Sequence, residues 1–300
     1  MNNTPNKFIH TWNIYRQKGL RGVLSGVLFR TGQTLLQSSA RLAPTIKLSP
    51  AEQQLIARNA AFRNHHAGKR CFVIGNGPSL NTQDLSLLKD DITFVMSGFW
   101  KHPVVAQWQP HFYCLCDPLF FDNSPPMNRF FVSLVKAIHS TTYFLPLQAA
   151  EVIQNDRVLP LDRTFFLAFR GNLHEEELTQ LDFTKFVPGA QSVSQLAIMA
   201  AIYMGCSPIY LLGLDHDWLA HRGMDRHFYS GKTVDNHPLA HNDLSRYSYK
   251  TELQSELRLW NGYETLQNLA RKHSIQILNA TNGGFLDVFP RVEYPRVVLA

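Results

Sequence analysis

Cys71-Phe72-Val73-Ile74-Gly75-Asn76-Gly77-Pro78-Ser79-Leu80 is the stretch whose reading decides the fold. An apolar run ends in Gly-Asn-Gly, and Pro-Ser-Leu then opens a helical pattern. A strand that turns this tightly into a helix needs glycine where backbone approaches backbone or ligand. The free N–H groups of a first helical turn, together with the Ser79 hydroxyl, favour an anion. That is the physics of a nucleotide loop. The spacing is not Gly-x-Gly-x-x-Gly and the lysine of a P-loop is missing. Neither dinucleotide nor Walker-type ATP binding therefore follows. The plainer alternative is a tight β–α turn in which Asn76 or Ser79 only caps.

Strand and helix signals alternate on both sides of this loop. Ser49-Pro50-Ala51-Glu52 reads as an N-cap, a proline at the first helical position and an acidic first turn, opening a helix to about Asn64. The pattern then predicts strands at Arg70–Ile74, Ile92–Met96, Phe112–Cys116, Thr141–Leu145, Pro208–Leu212 and Ser274–Leu278. It predicts helices at Ser79–Leu88, Arg129–His139, Ser192–Met204 and Tyr249–His273. Such alternation argues for an α/β fold, Rossmann-like and doubly wound around a mostly parallel sheet. Gln148–Pro188 and Asp215–Ser248 break the rhythm and read as long insertions, the second as a lid over about 215–248.

The charge balance separates two regions. The chain has 300 residues, with Lys+Arg 29 against Asp+Glu 23. Lys7, Arg16, Lys18, Arg21, Arg30, Arg41 and Lys47 all fall in residues 1–50, where no acidic residue occurs. The body is therefore near neutral, and the overall pI of 9.2 does not describe it. A nucleic-acid-binding domain would be basic over its folded surface, so nucleic acid is not an expected partner. Leu20, Val23, Leu24, Val27, Leu28, Leu35 and Leu36 give residues 1–48 helical periodicity among those arginines. Three readings of this basic amphipathic arm stay open: binding to an anionic membrane surface, docking on the body or a partner, and an organelle transit peptide. The rest, 49–300, reads as one domain. Hydrophobic residues at 45% and charged at 17% place it among globular chains. The four cysteines lie in apolar stretches without a Cys-x-x-Cys pair, so no zinc site is indicated and a reducing, cytoplasmic setting is expected.

Gly75-Asn76-Gly77-Pro78-Ser79-Leu80 resembles the signature of bacterial sialyltransferases of glycosyltransferase family 42. It also resembles the related DUF115 domain of motility accessory factors and archaeal 6-hydroxymethylpterin diphosphokinase MptE-like proteins. Further matching stretches follow in order. They are Phe94-Val95-Met96-Ser97-Gly98-Phe99, Tyr113 to Phe121 with Asp117, Ser192 to Gly205, Ile209 to Asp215, and Asn279-Ala280-Thr281-Asn282-Gly283-Gly284. The resemblance covers roughly residues 69–290 and leaves the arm out. It implies a nucleotide at the carboxyl ends of the strands, with Gly75, Asn76, Gly77, Pro78 and Ser79 around its ribose and phosphate. Ser97 and Asp117 stand where those enzymes have asparagines. Ser192 stands at or beside a ribose-contacting Thr-Ser pair. Asp217 and the His221–Gly223 stretch take the places of two lid tyrosines. In the interval that holds the family's general-base histidine, this chain has His237 and His241.

Five of the thirteen histidines fall within 216–241, accompanied by Asp215, Asp217, Asp225, Asp235 and Asp243. Three readings stay open. A histidine here, with His227 and His241 as candidates, could deprotonate an acceptor hydroxyl while Arg222 or Arg226 neutralises a leaving phosphate. Alternatively Asp215-His216-Asp217 could share Mg²⁺ or Mn²⁺ with a diphosphate. The plain reading is a solvated loop whose His and Asp cap turns, in which Asp215 could serve the structure alone by capping or receiving loop N–H groups. Trp218, beside Asp217, is a candidate sugar-stacking platform.

The expected activity is a glycosyltransferase using a nucleotide-activated sugar, CMP-linked by resemblance, with a glycan or protein acceptor in bacterial surface-glycan or flagellin glycosylation. Its catalytic candidates are His227, His241 and Asp117; Ser97, Ser192, Asp215 and His216 join the loop in binding the donor. Mg²⁺ or Mn²⁺ at Asp215 and Asp217 is an option that this reading does not require. The alternatives are an MptE-like diphosphokinase using ATP and Mg²⁺, and a non-catalytic nucleotide-binding recruitment protein. The expected location is the cytoplasm, peripheral to the inner face of the membrane through the arm.

Overall fold

Seven short parallel strands run through the middle of the body in the computed structural model. It describes residues 47–122, 124–156, 158–221, 224, 226–229 and 248–299. Ser49–Ala300 form one unit. The strands are β1 (Cys71–Ile74), β2 (Ile92–Met96), β3 (Phe112–Cys114), β4 (Thr142–Pro146) and β5 (Thr164–Leu167), with β8 (Ile209–Leu212) and β9 (Ile277–Asn279) completing the sheet. Their order is β5-β4-β3-β2-β1-β8-β9. Phe72 pairs with Thr93 on one side and Tyr210 on the other, both in parallel register. The chain thus winds outward from β1 to β5 and then crosses back over β1 to β8 and β9. The switch point of such a sheet lies between β1 and β8, and ligands bind outside the carboxyl ends of the strands there.

Residues of both parities are buried along β1, as a parallel strand covered on both faces requires. Cys71, Val73, Phe94, Phe112 and Ile209 face one core with α4 (Val193–Tyr203) and α5 (Tyr249–Lys272). α4 is apolar around its whole circumference, and all but its first residue are buried. Ser192 caps it, its hydroxyl accepting from the Gln195 N–H. α1 (Pro50–Ala57) begins with the expected capping box of Ser49 and Glu52. It passes into a 3-10 turn, Arg58–Phe62, where Asn59 donates to the Phe166 and Phe183 carbonyls at 2.7 and 2.9 Å.

Several elements differ from the sequence expectation. The helix expected over Ser79–Leu88 is two 3-10 turns, Pro78–Thr82 and Leu85–Leu88. The break falls at Gln83, which is extended, and at Asp84, whose carboxylate caps the second turn through the Ser86 N–H. Asn, Thr and Asp compete with helix in this way. β3 stops at Cys114 rather than Cys116, because Asp117 starts a capped turn at Pro118. α2 (Pro125–Ala137) begins four residues before Arg129, with the Pro125-Pro126 pair in its first turn. The segment Gln148–Pro188 is no simple insertion. It holds α3 (Ala150–Asp156), the edge strand β5, and a separate two-stranded parallel pair of β6 (Phe169–Asn172) with β7 (Val187–Gly189). A last helix, α6 (Tyr294–Val298), closes the chain. Among the described residues no helix is long and apolar enough to cross a membrane. The arm, apart from Lys47 and Leu48, lies outside them.

Candidate functional site

The carboxyl end of β1 is laced to that of β8. Gly75 N–H donates to Leu212 O at 2.8 Å, Gly77 N–H to Gly213 O at 2.9 Å, and Ser79 N–H to Asp215 Oδ2 at 2.9 Å. The Ser79 hydroxyl donates to Asp215 Oδ1. A Cβ at Gly77 would fall under 3.0 Å from the Asp215 carboxylate. The Gly-Asn-Gly turn is therefore shaped for contact with the β8 loop. The anion that Pro78 and Ser79 were expected to receive is already there, and it is the side chain of Asp215. Burial raises the Asp215 carboxyl above its usual range, while the two Ser79 donors pull it down.

Asn76 stands between these rungs and is buried. Its Nδ2 donates to the Met96 carbonyl at 3.1 Å, which holds it against the end of β2. Its Oδ1 is buried without a partner. An orphaned amide oxygen costs free energy on the order of 1–3 kcal/mol unless something donates to it. It is the most direct sign in the crevice of a place for a ligand N–H or O–H.

A described stretch of the lid closes over this end of the sheet. Phe228 N–H donates to the Asn76 carbonyl at 2.7 Å. The Phe228 ring meets His102 edge-on at 5.0 Å. The Tyr229 ring lies on Gly98, where a Cβ would fall under 3.0 Å from it, and the Lys101 ammonium sits 4.7 Å from its centroid. His227 stacks on Tyr229 at 5.0 Å. Ser97, at φ 47, makes the turn that presents Gly98; its carbonyl accepts the Tyr113 hydroxyl at 2.5 Å. The structure thus brings together Gly75–Ser79, Ser97, Asp215 and His227.

The other expected site residues have different employment. Asp117 caps its own turn through the Leu119 N–H at 3.0 Å. Ser192 shares a hydrogen bond of 2.8 Å with Ser194, which bonds Tyr263 at 2.6 Å. His216, at φ 46, turns into the body, where its Nε2 meets the Tyr263 hydroxyl at 2.7 Å. Trp218, Trp260 and Tyr263 surround that ring. Desolvation pushes its pKa down to about 4, so the imidazole is neutral at physiological pH. Trp218 donates to the Glu256 carboxylate, and the Arg226 guanidinium lies 5.5 Å from its ring centroid, where a stacked sugar was expected. His237, His241, Arg222 and Asp235 fall outside the described residues.

The donor set does not suit a divalent cation. Both Asp215 oxygens accept from Ser79, and Asp217 faces His221 at 3.3 Å. Among the described residues no three His, Cys, Asp or Glu side chains gather to hold a metal ion. A cavity of about 660 Å³ opens beside the convergence, lined by Thr82, Gln83, Asn282, Arg291 and Tyr294 among others. Sequence reasoning gave no role to Lys101, Phe228 or Tyr229; Gly98 lay in a matching stretch, and Phe228-Tyr229 directly follow the candidate His227.

Comparison with known proteins follows this geometry. No curated protein matches the chain. Among solved structures, the MAf glycosyltransferase from Magnetospirillum magneticum AMB-1 is similar at 16% identity and a TM-score of 0.45, over 82% of this chain and 39% of that one. This chain therefore spans about two fifths of that protein's length. The sialyltransferase CstII from Campylobacter jejuni, in complex with CMP-3FNeuAc, is similar at 16% identity and a TM-score of 0.46, over 75% of this chain and 86% of that one. The same enzyme with CMP gives 14% identity and 0.45, over 75% and 85%. A family model described as 6-hydroxymethylpterin diphosphokinase MptE-like matches residues 51–220, from α1 through β8 and into the start of the lid. By that match, over more than half its length, the chain belongs to the 6-hydroxymethylpterin diphosphokinase MptE-like family.

Proposed function

We propose that this chain is a glycosyltransferase that binds a nucleotide-activated sugar, CMP-linked in the favoured case, at the β1/β8 switch point. The observation that carries the reading is Asn76, whose buried Oδ1 lacks a donor at the place where a doubly wound sheet takes its ligand. Asn76 Oδ1 would accept from a ribose hydroxyl or a base N–H. His227, held over the crevice by the Phe228–Asn76 hydrogen bond, would take the acceptor hydroxyl proton. The acceptor oxygen would bond to the anomeric carbon as the bond from that carbon to the phosphate oxygen breaks. The nucleotide would leave as a phosphate anion, with Arg226 the described cation nearest in sequence to His227. The acceptor would be a glycan or protein in surface-glycan or flagellin glycosylation. The basic arm would keep the enzyme at an anionic membrane surface.

Calorimetric titration with CMP, UMP, GMP and ATP tests the reading. Binding of a pyrimidine nucleotide, weakened at least about tenfold by Asn76→Ala, is expected; tenfold corresponds to about 1.4 kcal/mol. Absence of binding to either pyrimidine nucleotide would sink it. The family description favours a second reading, pyrophosphate transfer from ATP to a pterin alcohol. It predicts Mg²⁺-dependent AMP release with 6-hydroxymethylpterin, and it falls if none is released.

A further inference from the structure

We infer that the cavity between the 3-10 turns after β1 and the chain beyond β9 is a second binding site, and that its ligand is a small organic ammonium ion with an apolar body. The inference is independent of the nucleotide reading, since none of the residues Gly75–Ser79 lines this cavity.

Gln83 is the residue that points to a ligand. It lines the cavity, is 8% exposed, and donates from Nε2 to the Ala280 carbonyl at 2.8 Å. That bond fixes the orientation of the amide, because a flip would set oxygen against oxygen. Its Oε1 is then buried without a donor. One water could serve one oxygen, but the cavity has about 660 Å³, many times the ~30 Å³ share of a single water. Leu87, Pro295, Val298 and Leu299 also line it, and Leu87 and Leu299 are exposed. Apolar side chains gathered around a recess that holds an orphaned polar group are the makings of a small-molecule site.

The polarity of the wall selects the ligand. The Thr82 hydroxyl donates to the Ser79 carbonyl at 2.7 Å, and Asn282 Nδ2 donates to Thr82 Oγ1 at 2.9 Å. The Tyr294 hydroxyl donates to the Asp84 carbonyl at 2.8 Å. Both terminal nitrogens of Arg291 are turned to the carbonyls of Thr281, Gly283, Gly284 and Leu286. Glu293 is paired with Arg296 at 2.7 Å. These donors are committed to the protein itself. Among the described residues, three acceptors of the wall are left without a donor: Gln83 Oε1, Asn282 Oδ1 and the Asp84 oxygen that does not hold Ser86. Hydrogen bonds from the Ser86 hydroxyl and N–H hold the Asp84 carboxyl below its usual range, so it is ionised at neutral pH. An ammonium supplies three donors and the countercharge, whereas a phosphate or carboxylate would bring acceptors to acceptors.

Amide-shift NMR titration of the full chain with benzylamine, benzyl alcohol and benzoate tests the site. The three probes share one ring and differ in the group that would meet Gln83. Benzylamine is expected to saturate with a Kd of about 1 mM or tighter, shifting the Gln83 side-chain amide and the Asn282 backbone amide. Benzyl alcohol should bind at least about fivefold more weakly, and benzoate not at all up to about 10 mM. Gln83→Met keeps the length of the side chain and removes its oxygen. Asp84→Asn removes the charge and keeps an oxygen to cap Ser86. Each should weaken benzylamine at least about fivefold. Benzoate or benzyl alcohol binding as tightly as benzylamine overturns the inference. So do shifts that map elsewhere, the absence of saturation, and an affinity unchanged in either variant. Should Gln83→Met fail to fold, the three wild-type titrations and Asp84→Asn still decide.

Discussion

Replacing His216 should flatten the acid dependence of stability. The ring is enclosed by Trp218, Trp260 and Tyr263, and desolvation lowers its pKa from 6.5 to about 4. The unfolded chain takes up this proton near 6.5, whereas the folded chain resists it until about pH 4. Between those values the unfolded state binds more protons, so stability falls as pH falls. The neutral ring's contribution is fully present above about 6.5 and is lost as pH drops through about 4. At about 1.4 kcal/mol per pH unit, the window from 6.5 to about 4 is worth at most about 3 kcal/mol. His216→Asn removes the titration and suits the φ of 46, since Asn tolerates that region better than most residues. Urea unfolding at pH 7.5, 6.5, 5.5 and 4.5 measures the effect. Wild type should lose about 2–3 kcal/mol more than the variant between 7.5 and 4.5. His66, also held near 4, is present in both proteins and cancels in the difference. Parallel curves would refute the reasoning, because they would mean that the His216 proton is bound equally in both states.

Three further outcomes follow from particular contacts. Gly77→Ala places a methyl against the Asp215 carboxylate and should break its hold on Ser79, lowering stability by about 1–3 kcal/mol in urea unfolding; an unchanged midpoint would show that the rung is dispensable. His227→Ala should lower sugar transfer at least about a hundredfold at saturating donor while leaving CMP affinity within about twofold; unaltered turnover would remove His227 as the base. Deleting residues 1–48 should release the protein from anionic liposomes at low salt and leave CMP affinity unchanged; liposome binding that persists would refute a membrane role for the arm.

The sheet was legible because β1, β2, β4 and β8 are short apolar runs with turn residues at their carboxyl ends. β5 to β7 were not legible. They are three or four residues long and lie among Pro, Asp and Gly, so their pairing depends on partners distant in sequence. The loop at Gly75–Ser79 was found as a strand-end turn, and Asp215 was read as a residue that could receive loop N–H groups. Which loop it serves was not legible, because its partner Ser79 lies 136 positions away in the chain. His216 illustrates the same limit. Beside Asp215 and Asp217 it reads as part of a polar site, yet a left-handed backbone turns it toward Tyr263. Tyr229 was read only as a neighbour of His227, since its contact with Gly98 joins positions 131 residues apart.

The central claim is that a nucleotide occupies the carboxyl ends of β1 and β8. A crystal of the full chain soaked with CMP tests it directly. The account predicts density for the nucleotide within hydrogen-bond distance of Asn76 Oδ1. A nucleotide seated elsewhere, for instance in the cavity between Gln83 and Tyr294, with Asn76 untouched, would contradict it.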